Sequence, residues 1–456
     1  MRLRALIFGS IIALAAHAQR VVLRGATVLE MTGASPRAAD LVLEGERIAE
    51  VVPPGKGHGE QVIDLSGKFV LPGLADLHAH VLVHPTDEQG QLGPQVDREL
   101  SLLALRVLLA HGVTTVRDPG AATEAAVTYR SMLAAGKIEG PRLWTCGRIL
   151  NVSTVDAEPF TPVRTVEDVR REVRWQALAG VDCVKAYAAV GPKLLGVALA
   201  EAHAHGLRVV GHLQATTWME AAALGIDGLE HAAPWTRDLL LDPNGMAVGL
   251  FGRVEWLERL DTTAEPVRKL VAELARSRVP VDLTLIAMHT KLFGDSARWQ
   301  RNPDLNLLPS TVIRGFRAGA FTRRWTKPQF ARGHAAWPKL LAWVKALHEG
   351  GVLLTAGTDT PNPWIVPGAS LHDELLLLEE AGIPRFVVLQ MATRNAAIAL
   401  GREREQGTVE AGKVADLLVL SADPLADLRN TRLIELVIQR GRLLKPTDIL
   451  SQHGRP

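Results

Sequence analysis

The sequence predicts an α/β fold, a (β/α)8 TIM-like barrel with a small β-sandwich domain built from both chain ends. Short apolar strand candidates alternate with helix-like stretches about eight times through the middle of the chain. The two ends have another pattern, in which short β segments are separated by glycine and proline turns. Polar side chains follow the strand candidates, and the active site of such a barrel lies at the carboxyl ends of its strands.

The first 18 residues have the pattern of a secretory signal peptide. Arg2 and Arg4 precede an apolar stretch at 5–16, and a small-x-small triplet follows at 16–18. The stretch is too short to span a bilayer comfortably, and no later segment offers about 18 uninterrupted apolar residues. We therefore expect a secreted or periplasmic protein with no membrane partner after signal removal.

The charge balance argues against nucleic acid as a partner. Without Arg2 and Arg4, 49 basic side chains stand against 49 acidic ones, which leaves no global field to attract a polyanion. Cys146 and Cys183 are too few for a disulfide scaffold, so stability must come from a large core. We expect a small-molecule partner, and the sequence leaves open whether the chain forms a homo-oligomer.

Both chain ends contribute strand candidates to one predicted β domain. These candidates lie at residues 21–28, 40–45, 415–420 and 436–441. The resulting division of the chain is a signal peptide at 1–18, a composite β domain at 19–72 and 404–456, and a barrel at 73–403.

The barrel is predicted from eight strand candidates and the helical stretches between them, such as 99–110 and 166–178. The strands are expected to end near His80, Asp118, Gly147, Tyr187, His212, His231, Ile286 and Asp359. Two connections, at 234–263 and 290–333, are long enough to be functional lids. The second fits either a solvated basic face or a lid that attracts an anion. Its arginines are Arg298, Arg301, Arg314, Arg317, Arg323 and Arg324.

The first and fourth strands carry the clearest metal-ligand candidates. His78 and His80 project the same way from one strand, and neutral imidazole suits zinc and similar ions. Strand alternation would turn Lys185 inward together with Cys183 and Tyr187. An ammonium is costly to bury unpaired, so this lysine is either salt-bridged or has a role beside the metal.

Three further strand ends offer compatible groups. His212 and His231 close the fifth and sixth strands, and Asp359 closes the eighth. A carboxylate in that position can bind metal, accept a proton from water or cap the next turn. Each group alone could be structural, but their joint occurrence at strand ends favours a metal site.

Together these motifs resemble the amidohydrolase superfamily, in the branch of imidazolonepropionase-like proteins and exported Xaa-Pro dipeptidases. The resemblance covers nearly the whole mature chain. The matching stretches are PGLADLHAH at 72–80, VRD at 116–118, VK at 184–185, GH at 211–212, GLEH at 228–231, TAGTD at 355–359 and GTVEAGKVADL at 407–417.

The resemblance implies a binuclear site with two divalent metal ions, of which zinc is the leading expectation. The implied ligands are His78, His80 and Asp359 for the more buried ion, His212 and His231 for the second, and N-carboxylated Lys185 as the bridge. Carboxylation turns a buried cation into an anionic ligand whose charge two divalent ions offset.

The implied activity is a metal-dependent hydrolase acting on C–N bonds, cleaving an amide or peptide in a small carboxylate-bearing substrate. A dipeptide or an N-acyl amino acid is expected. A metal-bridged hydroxide would attack the carbonyl, and Asp359 would carry the proton to the leaving amine. Tyr187 either hydrogen-bonds the carbonyl or oxyanion or packs against its neighbours.

Substrate specificity is where the sequence departs from the branch. Relatives with dipeptidase activity carry a Gly-Gly-His element after strand three, where this chain has CGRILN at 146–151. Either Arg148 replaces that histidine in binding a carboxylate or the substrate differs. His289, after strand seven, is a further candidate for substrate contact.

Two other functions stay open. A cyclic amide or lactone hydrolase of the imidazolonepropionase-like kind would be mononuclear and would not need Lys185. A non-catalytic binding barrel is the third interpretation. The intact set of six candidate ligands argues against it.

Overall fold

The structure is a computed structural model that describes residues 19–84, 96–152, 159–245, 247, 249–319 and 321–451. The predicted signal peptide at 1–18 lies outside the described residues. Within those ranges, no helix combines the length and the apolar character needed to cross a membrane.

The secondary structure alternates strands and helices through the middle of the chain, as the sequence predicts. The strands are β1 (Arg20–Val28), β2 (Arg37–Glu44), β3 (Arg47–Val52), β4 (Gln61–Asp64), β5 (Phe69–Pro72), β6 (Leu74–Asp76), β7 (Val113–Asp118), β8 (Arg142–Thr145), β9 (Ile149–Asn151), β10 (Phe160–Pro162), β11 (Cys183–Ala186), β12 (Arg208–Gly211), β13 (Gly228–Glu230), β14 (Val281–Asp282), β15 (Leu354–Thr355), β16 (Leu417–Leu420), β17 (Ile434–Gln439) and β18 (Arg442–Leu444). The helices are α1 (Arg98–Ala110), α2 (Thr123–Ala134), α3 (Val166–Ala179), α4 (Pro192–Ala204), α5 (Trp218–Leu224), α6 (Gly249–Arg259), α7 (Glu265–Ser277), α8 (Leu285–Leu292), α9 (Ala297–Gln300), α10 (Ser310–Gly319), α11 (Lys327–Glu349), α12 (Ala369–Glu380), α13 (Arg385–Met391), α14 (Arg394–Leu400) and α15 (Pro446–Ser451).

Strands from both chain ends form one mixed sheet in the order β18-β17-β16-β5-β1-β2-β3, with β4 paired to β1. In β16, Leu417 and Val419 face one apolar cluster together with Val70. Leu418 and Leu420 face the larger cluster that fills the middle of the chain. Because side chains alternate along a strand, the sheet is buried on both faces, which explains the continuous apolar run of β16. The predicted domain bounds stay predictions.

The parallel strands expected of a barrel lie in two sheets. One has the order β6-β7-β8, and the other has the order β10-β9-β11-β12-β13-β14-β15. The Asp182 amide donates to the Thr145 carbonyl at 2.8 Å, and the Leu77 amide donates to the Ala356 carbonyl at 3.2 Å. These bonds connect the two sheets at both margins.

The first, seventh and eighth strands each end four residues before the predicted position. Because β6 ends at Asp76 and β15 at Thr355, His78, His80 and Asp359 follow their strands. The seventh prediction falls in a helix. The strand β14 ends at Asp282, and Ile286 lies in α8. The backbone turns at Thr284, where φ is +45°, and the Glu374 carboxylate then accepts the amides of Leu285 and Ile286 at 2.9 and 2.6 Å. Sequence periodicity does not distinguish a short apolar strand from the first turn of a buried helix. The predicted helices at 99–110 and 166–178 are confirmed by α1 and α3.

The two long connections contain helices. The first includes α6, and the second includes α9, α10 and the start of α11. The six arginines of the second connection are all exposed, as a solvated basic face requires. None of the six is among the described residues that line the main cavity, although Lys291, Phe316 and Phe321 of the same connection are. Both interpretations of this connection stay predictions.

Candidate metal centre

The six predicted metal ligands are brought together on one cavity of about 860 Å³. They are His78, His80, Lys185, His212, His231 and Asp359. His78 and His80 follow β6, Lys185 is the next-to-last residue of β11, and the other three follow β12, β13 and β15. They lie together because the carboxyl ends of parallel strands lie at the same edge. Strand order therefore places groups that are up to 281 positions apart in the sequence on one surface.

His78, His80 and Asp359 form the tightest group. Asp359 Oδ1 lies 3.5 Å from His78 Nε2 and 3.8 Å from His80 Nε2. The three ligand atoms lie within 4.8 Å of one another, so one ion could contact all three. Asp359 has a left-handed backbone, with φ of +59°, and its amide donates to the His78 carbonyl at 2.6 Å. This bond fixes the carboxylate beside the histidine pair.

His212 and His231 form the adjoining half of the site. Their ring centroids are 4.3 Å apart, and the His231 ring is 4.8 Å from that of His78. His231 Nδ1 lies 2.9 Å from Thr284 Oγ1 and 3.9 Å from Asp359 Oδ2. The same carboxylate thus adjoins both histidine pairs, an arrangement that suits two neighbouring ions.

Lys185 is the buried group that this donor set leaves unsatisfied. Its side chain is 2% exposed, and its Nζ lies 3.9 Å from Glu230 Oε1. Nζ has no hydrogen-bond partner among the described residues. Burial lowers the pKa of Lys185 to about 8, against a partly opposing effect of the Glu230 charge. The Glu230 contact fits the alternative of a salt-bridged lysine. A carboxylated lysine would remove the incompletely satisfied cation, so the residues present also fit a bridged metal pair.

Three of the four histidines have the protonation that metal binding needs. Burial holds the pKa of His78, His212 and His231 well below the usual histidine value, so these imidazoles are neutral at neutral pH. Burial also acts to lower the pKa of His80, but the hydrogen bond and charge of Asp118 outweigh it, and the pKa is raised. Burial raises the pKa of Asp359.

Glu230 contacts the His78 ring at the nitrogen that does not face Asp359, and Arg117 contacts Glu230 in turn. Glu230 Oε2 lies 2.6 Å from His78 Nδ1, which leaves Nε2 directed to Asp359. Arg117 donates from Nη2 to Glu230 Oε1 at 2.6 Å and from Nε to the Leu77 carbonyl at 2.7 Å. Such outer contacts orient metal-binding imidazoles. Arg117 belongs to the motif VRD and Glu230 to the motif GLEH, but nothing in the sequence predicts that the two side chains pair.

The cavity also has basic and aromatic walls that the sequence reasoning missed. Arg237, Arg253 and Lys291 line it. Arg253 belongs to α6 and Lys291 to α8. The long connections were a signal that these segments could reach the site, but single basic residues in them carry no distinguishing pattern.

Of the three predicted substrate-binding residues, Tyr187 lines the cavity. Its ring centroid is 4.7 Å from that of His212, and burial raises the pKa of its hydroxyl. Arg148 and His289 are not among the described lining residues. The Arg148 guanidinium donates to the Phe160 carbonyl. The guanidinium that one of the two interpretations had binding a carboxylate therefore contacts the backbone instead.

His289 is part of an aromatic stack outside the cavity lining. Trp299 Nε1 donates to His289 Nδ1 at 2.9 Å, and the His289 ring stacks on Phe293 with centroids 4.3 Å apart. Phe293 stacks in turn on His334, also at 4.3 Å. These contacts tie α8 to α9 and α11, which is a structural role for the histidine.

The two cysteines form a disulfide that the sequence reasoning did not predict. Cys146 and Cys183 are bonded across a separation of 37 residues. Both are buried, and they pack with Val210. The bond connects the segment after β8 to the first residue of β11, the strand that carries Lys185.

Comparison with known proteins identifies relatives of the chain. The model of the amidohydrolase family matches residues 69–444. Adenine deaminase 3 of Rhizobium meliloti (strain 1021) is 23% identical over 448 residues, covering 95% of this chain and 59% of that protein. Imidazolonepropionase of Agrobacterium fabrum (strain C58 / ATCC 33970) is 24% identical over 402 residues, covering 83% and 81% of the two chains.

Solved structures share the fold. A Xaa-Pro dipeptidase with methionine bound in its active site superposes with a TM-score of 0.69 at 20% identity, covering 93% of this chain and 99% of that one. This likeness indicates a TIM barrel with an extra domain. The chain spans about three fifths of the length of the adenine deaminase.

Proposed function

The chain belongs to the amidohydrolase family, whose hydrolases act on C–N bonds, and we propose that it cleaves an amide or peptide bond in a small, carboxylate-bearing substrate. A dipeptide or an N-acyl amino acid fits this description. The observation that carries the proposal is the convergence of four imidazoles, one buried lysine and one carboxylate on a single cavity.

The proposed holoenzyme contains two divalent ions, with zinc as the leading choice. His78, His80 and Asp359 would hold one ion, and their ligand atoms lie within 4.8 Å of one another. His212 and His231 would hold the other. Lys185 would bridge the two as a carbamate, which is supported by its burial and by the lack of a hydrogen-bond partner among the described residues.

Bound ions would polarise the scissile carbonyl and make water a nucleophile at neutral pH. Asp359 would take the proton from the attacking water and return it to the leaving amine, because its carboxylate faces both histidine pairs. The Tyr187 hydroxyl lines the same cavity and would donate to the carbonyl oxygen as charge develops on it.

The first experiment measures metal content per chain, in the wild type and in Lys185→Ala, together with hydrolysis of a panel of dipeptides and N-acyl amino acids. We expect about two metals per chain, falling in the variant, and turnover of at least one carboxylate-bearing amide. Metal binding without hydrolysis of any amide, cyclic or linear, would favour a non-catalytic binding barrel.

Asp359→Asn tests the proton-transfer role. We expect turnover to fall by about 10²–10⁴-fold, because an amide cannot take a proton from water. Metal content is measured in the same samples. Retained metals with unaltered turnover would rule out the role.

The second candidate function is hydrolysis of a cyclic amide or lactone. It is favoured by the likeness to imidazolonepropionase, which covers most of both chains. About one metal per chain, unaffected by Lys185→Ala, would support this function. Adenine belongs in the same panel because an adenine deaminase is also a relative.

The proposal also includes export, a closed barrel and a β-sandwich domain. Export is supported by the disulfide between Cys146 and Cys183, because disulfides persist in oxidising compartments. Closure is supported by the backbone bonds between the two parallel sheets. Cell fractionation of the full-length chain, with mass analysis of its amino terminus, tests export and signal removal.

A further inference from the structure

The cavity has an excess of basic groups. Arg237, Arg253 and Lys291 line it outside the metal-ligand cluster, and Asp359 is the one carboxylate among its described lining residues. In the proposed holoenzyme Lys185 would be an anionic carbamate, and the positive charge of two divalent ions would exceed its charge and that of Asp359. An anionic ligand is therefore favoured over a neutral or cationic one of the same shape.

Arg253 reaches the cavity from α6 and has no ion pair or hydrogen bond with another described residue. Its Cζ lies 5.2 Å from the centroid of the Trp235 ring. Burial lowers the pKa of Arg253, and the charges of Tyr187 and Asp359 act in the other direction. The guanidinium is thus partly desolvated and faces the same space as the Tyr187 hydroxyl.

Lys291 reaches the cavity from α8 and is similarly placed. Its Nζ lies 5.1 Å from the centroid of the Phe321 ring and forms no ion pair with a carboxylate of the described residues. Burial lowers the pKa of Lys291 to about 8, with Asp359 opposing and Arg253 adding to the effect. Two cations that repel each other thus line a partly dry cavity whose one described carboxylate, Asp359, belongs to the metal-ligand cluster.

We propose that Arg253 and Lys291 form an anion subsite that binds the carboxylate of the substrate beside the scissile bond. Ring contacts hold both cations in place, but they leave the charge unsatisfied until an anion enters. A guanidinium and an ammonium together can donate several charge-assisted hydrogen bonds to one carboxylate. This inference rests on the proposed amide hydrolase function. It assigns carboxylate binding to Arg253 and Lys291 instead of Arg148.

The test compares a carboxylate with its uncharged counterpart. The substrates are N-acetyl-L-phenylalanine and its primary amide, with acetate release as the measurement. The aromatic side chain suits a cavity that Phe160, Trp256 and Phe321 help to line. We expect the wild type to prefer the carboxylate by at least about tenfold in kcat/KM, since hydrogen bonds to charged groups are worth that much.

The variants are Lys291→Gln and Arg253→Gln. Each should reduce kcat/KM for the carboxylate by about tenfold or more and leave the amide nearly unchanged. Lys291→Arg should restore part of the preference. The matched control is Arg298→Gln, which removes an exposed arginine outside the cavity lining. Thermal unfolding of each variant checks that it folds.

A binding arm separates failure of the subsite from failure of the proposed function. Calorimetry compares 3-phenylpropanoate with 3-phenylpropanamide, neither of which has an N-acyl bond at the site of cleavage. Tighter binding of the carboxylate that is lost in both glutamine variants, but not in the control, would support the subsite even if no panel substrate is hydrolysed. If each glutamine variant weakens binding or turnover of the acid and of the amide to the same extent, the anion subsite is ruled out, even if the protein is an active hydrolase.

Discussion

Glu230 is fully buried between a histidine and an arginine, and its two oxygens serve different partners. One oxygen faces His78 Nδ1 and the other accepts from Arg117, each at 2.6 Å. The carboxylate therefore fixes the ring of a metal-ligand candidate and is itself neutralised. Glu230 is a positioning residue, since it does not line the cavity and acts on the site through His78 and through the charge of Lys185, whose Nζ lies 3.9 Å from Glu230 Oε1.

Replacing Glu230 with glutamine should weaken metal binding by about 10–100-fold, because the His78 ring loses its anionic partner. The measurement is metal content after dialysis against a competing chelator. The control is Glu403→Gln, at an exposed position. A lower melting temperature with unchanged metal affinity would show that Glu230 only stabilises the fold.

His289 should make stability depend on pH in the acid range. Burial lowers its pKa to about 3, whereas an unfolded histidine titrates near 6.5. Below about pH 6.5 the unfolded chain binds a proton that the folded chain does not, so this contribution to stability is lost as pH falls towards 3. We expect His289→Gln, whose oxygen can accept from Trp299, to show a smaller loss of melting temperature across that range. If melting temperature falls with pH equally in the wild type and in His289→Gln, the depressed pKa of His289 is contradicted.

The disulfide links the segment after β8 to strand β11, which carries Lys185 of the candidate site. Cys183 begins β11, and Lys185 follows two residues later on the same strand. Cys146 lies just after β8. The bond joins cysteines that are 37 positions apart, and the segment between them contains α3. It therefore restricts the unfolded chain and secures the strand that carries the buried lysine.

Removing the bond with Cys146→Ala and Cys183→Ala should lower the free energy of unfolding by about 2–4 kcal/mol, mainly through greater freedom of the unfolded chain. Denaturant unfolding is measured with and without a reductant. In reductant, the free energy of unfolding of the wild type should fall close to that of the double variant. The value for the double variant should be the same with and without reductant. An equal free energy for oxidised wild type and double variant would contradict the prediction.

The sheet from the chain ends and the parallel strands share a continuous core. Leu418 belongs to the larger apolar cluster together with Leu74 and Leu109, whereas Val419 belongs to the cluster on the other face. Because β16 is buried on both faces, the sheet cannot lose its packing without exposing part of the barrel-side core.

Leu418→Ala should lower the free energy of unfolding by about 2–5 kcal/mol and shift a single calorimetric transition, because the cavity it leaves adjoins both parts. The control is Leu433→Ala, at a side chain that is 48% exposed. Two separate transitions, of which the variant moves one, would show that the sheet and the parallel strands unfold independently.

The sequence determined the order of strands and helices and the identity of the six candidate ligands. Alternation and apolar runs are local properties, and ligands at strand ends are recognisable because each follows a readable strand. Helices α1 and α3 were predicted closely for the same reason. The seventh strand was not, because an apolar segment at the start of a buried helix has the same composition as a strand.

The contacts between distant segments came from the fold. Glu230 meets Arg117 across 113 residues, and the cavity gains Arg253 and Lys291 while Arg148 and His289 turn to other partners. A basic or aromatic residue in a long connection has no local pattern that says whether it faces the cavity or solvent. Packing of the long connections over the strand ends settles that choice, because it decides which side chains lose water and which find a partner.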